Sequence, residues 1–435
     1  MRYKNAILIP TFIVISLIIR LSLMPISVHS DLFSINNYPP LLVHQNVWDV
    51  YSYIDRTKPS LFFYPPLSYY LIGTFQYFDQ FISDSFFNWM DAQRTLYEQG
   101  FKGQAAQYII ATPNPHIFRD LFLAKIPYLV FDIFSLIILW QFIKKKIINK
   151  WALALWLFNP VLLYNSYIFG HLDIIPIFFI LSAFYFLTKN RIAASVFLLG
   201  VAGAFKLYPF MLVPLVIIIF RKSLIDWVRL GTIAILPLFI SLLPTIINNP
   251  QLALSAFTVK LFNAYHTDVS GWEYYSDLIK YLIIIISYLV LSFLSWKVKI
   301  RDKFKLAVGV SLISILLLLN FVYRVHFHYL LWIAPYIILW FKNIKTATFI
   351  VLIQAISFAS YKILANQLQL GLFAPINPYY FSNLPTFNEI INQLIPYRII
   401  SSLGFLVFSI LSLAIVANVL FRIIFQEEVS LSNRR

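Results

Sequence analysis

Apolar positions in this chain fall into long, almost unbroken runs rather than the three-to-four spacing of a soluble amphipathic helix. Crossing ~30 Å of hydrocarbon takes about 20 helical residues. Runs that reach or approach that length lie at 6–26, 117–141, 151–168, 172–188, 192–205, 207–220, 228–247, 278–296, 306–322, 327–341, 346–364 and 398–422. The pattern predicts an all-α membrane bundle of about twelve helices. Its first run has no small-residue cleavage site after it and reads as a retained span rather than a signal peptide.

Between the runs the patterning changes. Three intervening segments are long: 27–116, 248–277 and 365–397. In the first, Val47, Trp48, Tyr51 and Ile54 recur at helical spacing, with Gln45, Asn46, Asp49, Ser52 and Asp55 on the other faces. That predicts an amphipathic helix lying on the membrane surface. Residues 84–110 carry a weaker version. Tyr64 to Ile82 is apolar enough to suggest another span. The chain contains no tandem repeat, low-complexity tract or linker, so residues 1–435 read as one membrane-embedded domain with an elaborated first loop.

Composition agrees with the runs. The chain is 60% hydrophobic and only 12% charged, with a mean hydropathy of +0.76. Those values exclude an ordinary soluble enzyme and a disordered chain. There is no cysteine, hence no disulfide, thiolate nucleophile or cysteine-ligated metal. The net charge of +16 would suggest nucleic-acid binding in a soluble protein. Here its placement matters more. Lys144–Lys146 with Lys150, Lys189 with Arg191, Arg221 with Lys222 and Arg229, Lys297 to Lys305, and Lys342 with Lys345 all fall on one side of a twelve-pass scheme. By the positive-inside rule that side is cytoplasmic, as are both termini. The scheme holds only if 27–116 stays outside, so 64–82 is read as a re-entrant or interfacial element. All seven histidines and most of the 18 acidic residues then lie on or near the outer face.

The candidate chemistry sits on that face. Asp31 follows the first span directly. Phe63-Tyr64-Pro65-Pro66-Leu67 fixes an extended entry and can start a helix at the second proline. Gly170-His171-Leu172-Asp173 brings ionisable groups to the mouth of a span, where they mark either a functional site or a buried structural pair. Lys206 interrupts the apolar stretch from Ile192 to Phe220. Each arm has about 14 residues, roughly 21 Å of helix, so the turn lies in a recess below the outer surface. A bare ammonium there costs about 2.5–3.5 kcal/mol or more, which a bound anion would offset. The alternative is snorkelling to the interface. Arg324-Val325-His326-Phe327-His328 marks another outer helix end. With no matched third ligand nearby, it reads as a cationic cradle for phosphate rather than a metal site. No Walker loop, GxGxxG, GxSxG or HExxH is present.

Taken in order, these motifs resemble the GT-C superfamily of membrane glycosyltransferases. The likeness is to the dolichyl-phosphate-glucose-dependent glucosyltransferases and to related prokaryotic polyprenyl-phosphate-sugar mannosyl- and glucosyltransferases. It rests on Asp31 after the first span, Tyr64-Pro65-Pro66-Leu67, Gly170-His171, Phe205-Lys206-Leu207-Tyr208-Pro209 and Val325-His326-Phe327-His328. Leu172-Asp173 replace the Gln and Asn that follow Gly-His in eukaryotic members, which leaves the sugar open. There is no Asp-x-Asp at Asp31, unlike the metal-dependent members.

The resemblance implies an inverting hexosyltransferase of the plasma membrane, in a prokaryote given the departures. It implies a lipid-linked sugar phosphate as donor, a glycan, lipid or protein as acceptor, and no resident cofactor or metal, though a divalent ion stays open. Asp31 would be the base. Lys206, Arg324, His326 and His328 would hold the phosphate, and His171 and Asp173 would orient sugar or acceptor. Tyr64, Pro65 and Tyr208 complete the substrate-binding set. The competing class is a transporter or lipid-linked-glycan flippase, which twelve spans and intramembrane charges also fit. Inverted or parallel repeats would favour it, and none is visible.

Overall fold

The architecture comes from a computed structural model, which describes residues 2–57, 64–101, 103–256, 272–298, 302–321, 326–362 and 370–432. Among these residues the chain is all-helical, with no strand. Seven helices are long and apolar enough to cross a membrane: Ile9–Ile26, Ile117–Lys144, Trp151–Phe169, Leu224–Asn248, Ile279–Lys297, Lys303–Phe321 and Tyr397–Phe425. The other expected spans are shorter apolar helices, at Ile174–Leu187, Ile192–Phe205, Tyr208–Phe220, Phe327–Trp340 and Ile344–Ser357.

In chain order, α1 is Arg2–Ile26, α2 Ser30–Asn36, α3 Pro39–Gln45, α4 Val50–Thr57, α5 Pro66–Asp79, α6 Asp84–Glu98, α7 Ala105–Ala111 and α8 Ile117–Lys144. Next come α9 (Trp151–Leu157) and α10 (Pro160–Leu162), which runs on as a π-helix over Leu163–Phe169. Then follow α11 (Ile174–Leu187), α12 (Ile192–Phe205), α13 (Leu212–Phe220) and α14 (Leu224–Asn248).

Burial sorts these helices into centre and rim. The helix at Lys303–Phe321 has most of its apolar window buried, whereas α1 and the helices at Ile279–Lys297 and Tyr397–Phe425 bury little of theirs. Their exposed side chains are Val14 and Ile18, Ile286 and Leu289, and Leu403 and Ile410. Apolar faces this continuous belong against lipid. The molecule is therefore a multi-pass membrane protein.

Its interior holds ion pairs as well. Asp132 of α8 accepts from Arg20 of α1 (2.7 Å), from the Trp156 indole (2.7 Å) and from the Tyr167 hydroxyl (2.7 Å). One carboxylate so ties α1, α9 and the π-helix to α8. Two turns away on α8, Lys125 is wholly buried and donates to the carbonyls of Ser27 and Tyr167. These contacts satisfy charges that would otherwise be costly at membrane depth. Small residues also bring helices close: a Cβ on Gly200 of α12 would run into the Ala234 carbonyl of α14.

Segment 27–116 departs from its predicted layout in one respect. The amphipathic helix expected through 47–54 is broken. Asn46 adopts the left-handed conformation (φ 53°) that asparagine tolerates, and this ends α3. Asp49 then restarts the chain as α4, accepting the Ser52 N–H at 3.1 Å. Val50, Tyr51 and Ile54 form the buried face, while Trp48, expected on it, is 60% exposed. The apolar segment 64–82 becomes α5, entered through Pro65 and Pro66. It packs against α2, α3, α8, α12 and α14.

Candidate functional site

Two chain breaks and one turn build the site. The first break follows the π-helix, where Gly170 takes a positive φ of 79° and closes the helix by donating to the Asn165 carbonyl. A Cβ there would also lie 2.9 Å from the Leu32 side chain, so glycine lets α2 seat against the break. The second break is at Lys206, which is extended between α12 and a 3₁₀ turn at Tyr208–Met211. Ser68 of α5 donates to the freed carbonyl of Phe205 at 3.1 Å. The turn is the His326–Ile333 region, where a 3₁₀ helix begins at Phe327.

Around these points the predicted residues converge. Asp31 lies in the first turn of α2, where the His29 imidazole caps its N–H at 3.1 Å. His29 stacks on Phe169 with centroids 3.6 Å apart. Burial lowers its affinity for a proton against the pull of Asp31, so at neutral pH it is uncharged. Asp31, His171 and His328 each offer one ligand atom, all within 4.8 Å of one another. The His171 and His328 rings stack at 3.9 Å, and His326 stacks on His328 at 5.3 Å. Tyr64 places its hydroxyl 3.2 Å from His171 Nε2, and burial keeps that phenol protonated. Pro65, beside it, is the extended N-cap of α5.

Lys206 and Asp173 answer an open question. Lys206 is not a bare cation: its Nζ lies 2.6 Å from Asp173 Oδ1 and over the rings of Tyr329 (4.5 Å) and Trp332 (5.0 Å). Asp173 is wholly buried and also faces His171 Nδ1 at 3.2 Å and the Trp332 indole at 3.1 Å. The anion offsetting Lys206 is thus supplied by the chain. Lys206 keeps 13% of its side chain open, so it still borders the site. Tyr208 stacks on Trp332 at 3.9 Å. Arg324 lies outside the described residues.

Such an arrangement offers one part-exposed carboxylate beside imidazoles, a phenol and an ammonium. It can take a proton from a hydroxyl, or bind an anion. It also supplies the further ligands that the His326-x-His328 motif lacks in sequence. His171 and Asp31 can join His328 in holding one cation through two imidazoles and a carboxylate. An apolar groove of about 510 Å³ runs between α13 and α14, from Phe210, in the turn that follows Lys206, and Leu238 to Ile218 and Trp227.

Sequence reasoning passed over Arg20, Lys125 and Asp132. Their signal was available: each is a charge inside an apolar run, and Lys125 and Asp132 lie seven residues apart on one face of a helix. Comparison with protein-family models, with curated proteins and with solved structures finds no match to this chain.

Proposed function

We propose that the protein is an inverting glycosyltransferase that moves one hexose from a polyprenyl-phosphate carrier to an acceptor hydroxyl at the outer face of the membrane. The observation that carries this reading is the meeting of Asp31, Tyr64, His171, Lys206 and His328 at one point, from sequence positions far apart. The reading takes the seven long and five shorter apolar helices as twelve crossings, with both termini cytoplasmic.

In this scheme the prenyl chain lies along α13 and α14, and its phosphate reaches the Lys206 end. The acceptor oxygen attacks the anomeric carbon from the face opposite the phosphate. Its proton passes to Asp31 as the C–O bond to phosphate breaks. Phosphate is a good leaving group, so one carboxylate suffices where glycosidases need two. Lys206, His326 and His328, with Arg324, stabilise the charge gathering on the departing phosphate. His171, held between Tyr64 and Asp173, borders the sugar.

The test is transfer from a radiolabelled polyprenyl-phosphate hexose by the purified protein and its Asp31→Asn variant. Loss of about two orders of magnitude or more is expected on removing the base. Full activity in the variant removes Asp31 from that role. Running both arms with and without a chelator separates a metal-free site from one in which a cation on Asp31, His171 and His328 serves the phosphate.

A further inference from the structure

The broken helix at 46–50 leaves a feature that the transfer scheme does not use. Asn46 and Asp49, each turning the chain, throw Trp48 outward with its indole 60% exposed. Its backbone is held in place: the Tyr70 hydroxyl donates to the Trp48 carbonyl at 3.1 Å. The indole lies at the edge of a cleft of about 570 Å³, lined by Val47 and by Asp49, Asp55 and Arg56 from the α4 region and by Asn248 and Asn249 at the end of α14. That volume falls within the range of small-ligand sites. Asp49 is 8% exposed. Its Oδ1 accepts from the Ser52 N–H and from Thr245 Oγ1 (2.8 Å), yet its Oδ2 has no partner among the described residues. A buried carboxylate oxygen left with an open lone pair lacks the donor that such groups ordinarily have.

We infer that this cleft binds a saccharide, with Trp48 as the stacking platform and Asp49, Asn248 and Asn249 as the hydroxyl-reading groups. The chemistry fits each part. A sugar ring offers an apolar C–H face, which an exposed indole matches. Its hydroxyls both donate and accept, and so do asparagine amides, though Asn249 Oδ1 already accepts from the Leu252 N–H, while a carboxylate oxygen accepts a hydrogen bond from a hydroxyl. A bare divalent cation is a poorer fit, because the cleft has two carboxylates and the Arg56 guanidinium stands beside them.

The cleft is also wired to the candidate site. The same helix α4 carries Tyr51, whose hydroxyl donates to the Tyr64 carbonyl at 2.7 Å, and the Tyr64 hydroxyl meets His171. Two hydrogen bonds, through Tyr51 and Tyr64, thus link α4 to His171. Taken with the transferase reading, on which this clause rests, the ligand is a non-reacting unit of a glycan acceptor. The binding itself does not depend on that reading.

Saturation-transfer NMR on the full-length protein in detergent tests it, with maltotriose, an α-linked mannotriose and chitotriose as probes. Saturable binding of at least one is expected, weakened about tenfold in Trp48→Ala and largely restored in Trp48→Phe. An unaltered unfolding midpoint in Trp48→Ala shows that the fold is kept. Absence of saturable binding by all three sugars overturns the inference. So does binding unchanged by Trp48→Ala, which would make Trp48 an interfacial anchor instead. Asp31→Asn is expected to bind as wild type. If that variant binds normally and also transfers sugar at full rate, Asp31 loses its assignment while the cleft keeps its own.

Discussion

Lys206 and Asp173 show what a buried charge does at the level of single residues. Asp173 has lost its water and Lys206 most of its own, and the 2.6 Å contact between them replaces part of it. Removing one partner of such a pair strands the other, at a typical cost of about 3–5 kcal/mol, whereas removing both costs far less. Lys206→Met and Asp173→Asn should therefore each lower the heat-inactivation midpoint in detergent, and the double variant should lose clearly less than the two single losses combined. Strictly additive losses would show that the two groups do not depend on each other. The position of Lys206 was legible because a lone ammonium stands out in an apolar run. Asp173 was legible too, but its pairing with Lys206 was not, since the two lie 33 residues apart and only the two chain breaks bring them together. His171 was legible for the same reason as Lys206, and Gly170 beside it has two physical duties, its positive φ and its contact with Leu32.

Elements show where periodicity carries information and where it fails. The runs at 117–141 and 228–247 became α8 and α14 although Pro127, Pro237 and Pro244 lie inside them, because a backbone at membrane depth has to satisfy its own hydrogen bonds and neighbouring helices accommodate the breaks. The stretch 45–55 has the right apolar spacing, but Asn46 and Asp49 offer local turn and cap chemistry that wins over it. At the end of α5 the competition is electrostatic. Asp79 is buried and close to Asp120, which Ser83, Ser85 and Asn114 hold by hydrogen bonds of 2.5, 2.7 and 2.8 Å. Burial first, and the Asp120 charge second, raise the Asp79 carboxyl from 3.8 to about 7. The sign follows. Between these values the folded chain keeps a proton that the unfolded chain has shed, so this group's contribution to stability falls as pH rises through that window. Wild-type protein should therefore gain more from acidification from pH 8 to pH 5 than Asp79→Asn does. Equal pH slopes for the two, measured by thermal unfolding, would mean that Asp79 ionises normally.

At the scale of the whole molecule, charge sorts the two ends of the bundle. Lys145 donates to Thr188 Oγ1, Lys189 lies over Tyr185, Lys222 donates to the Trp296 carbonyl and Lys303 lies over Phe220. Linkers distant in sequence thus bring their lysines to a common end, and His29, His171, Lys206 and His328 gather elsewhere. In the proposed orientation, which follows the positive-inside rule, the lysine end is cytoplasmic. That orientation requires 27–116 to stay on the other side, with α5 packed in without crossing. The chain has no cysteine, so single-cysteine variants report on this directly. Asp84 and Lys189 are both exposed and stand at the two expected surfaces. A membrane-impermeant maleimide should label Asp84→Cys in intact cells and Lys189→Cys only after permeabilisation. The inverse pattern would turn the molecule over and place the Asp31 cluster on the cytoplasmic side, where a donor and acceptor of different location would be needed. Labelling of both from one side would instead mean that an odd number of the segments between residues 84 and 189 has been misassigned as crossing or not crossing.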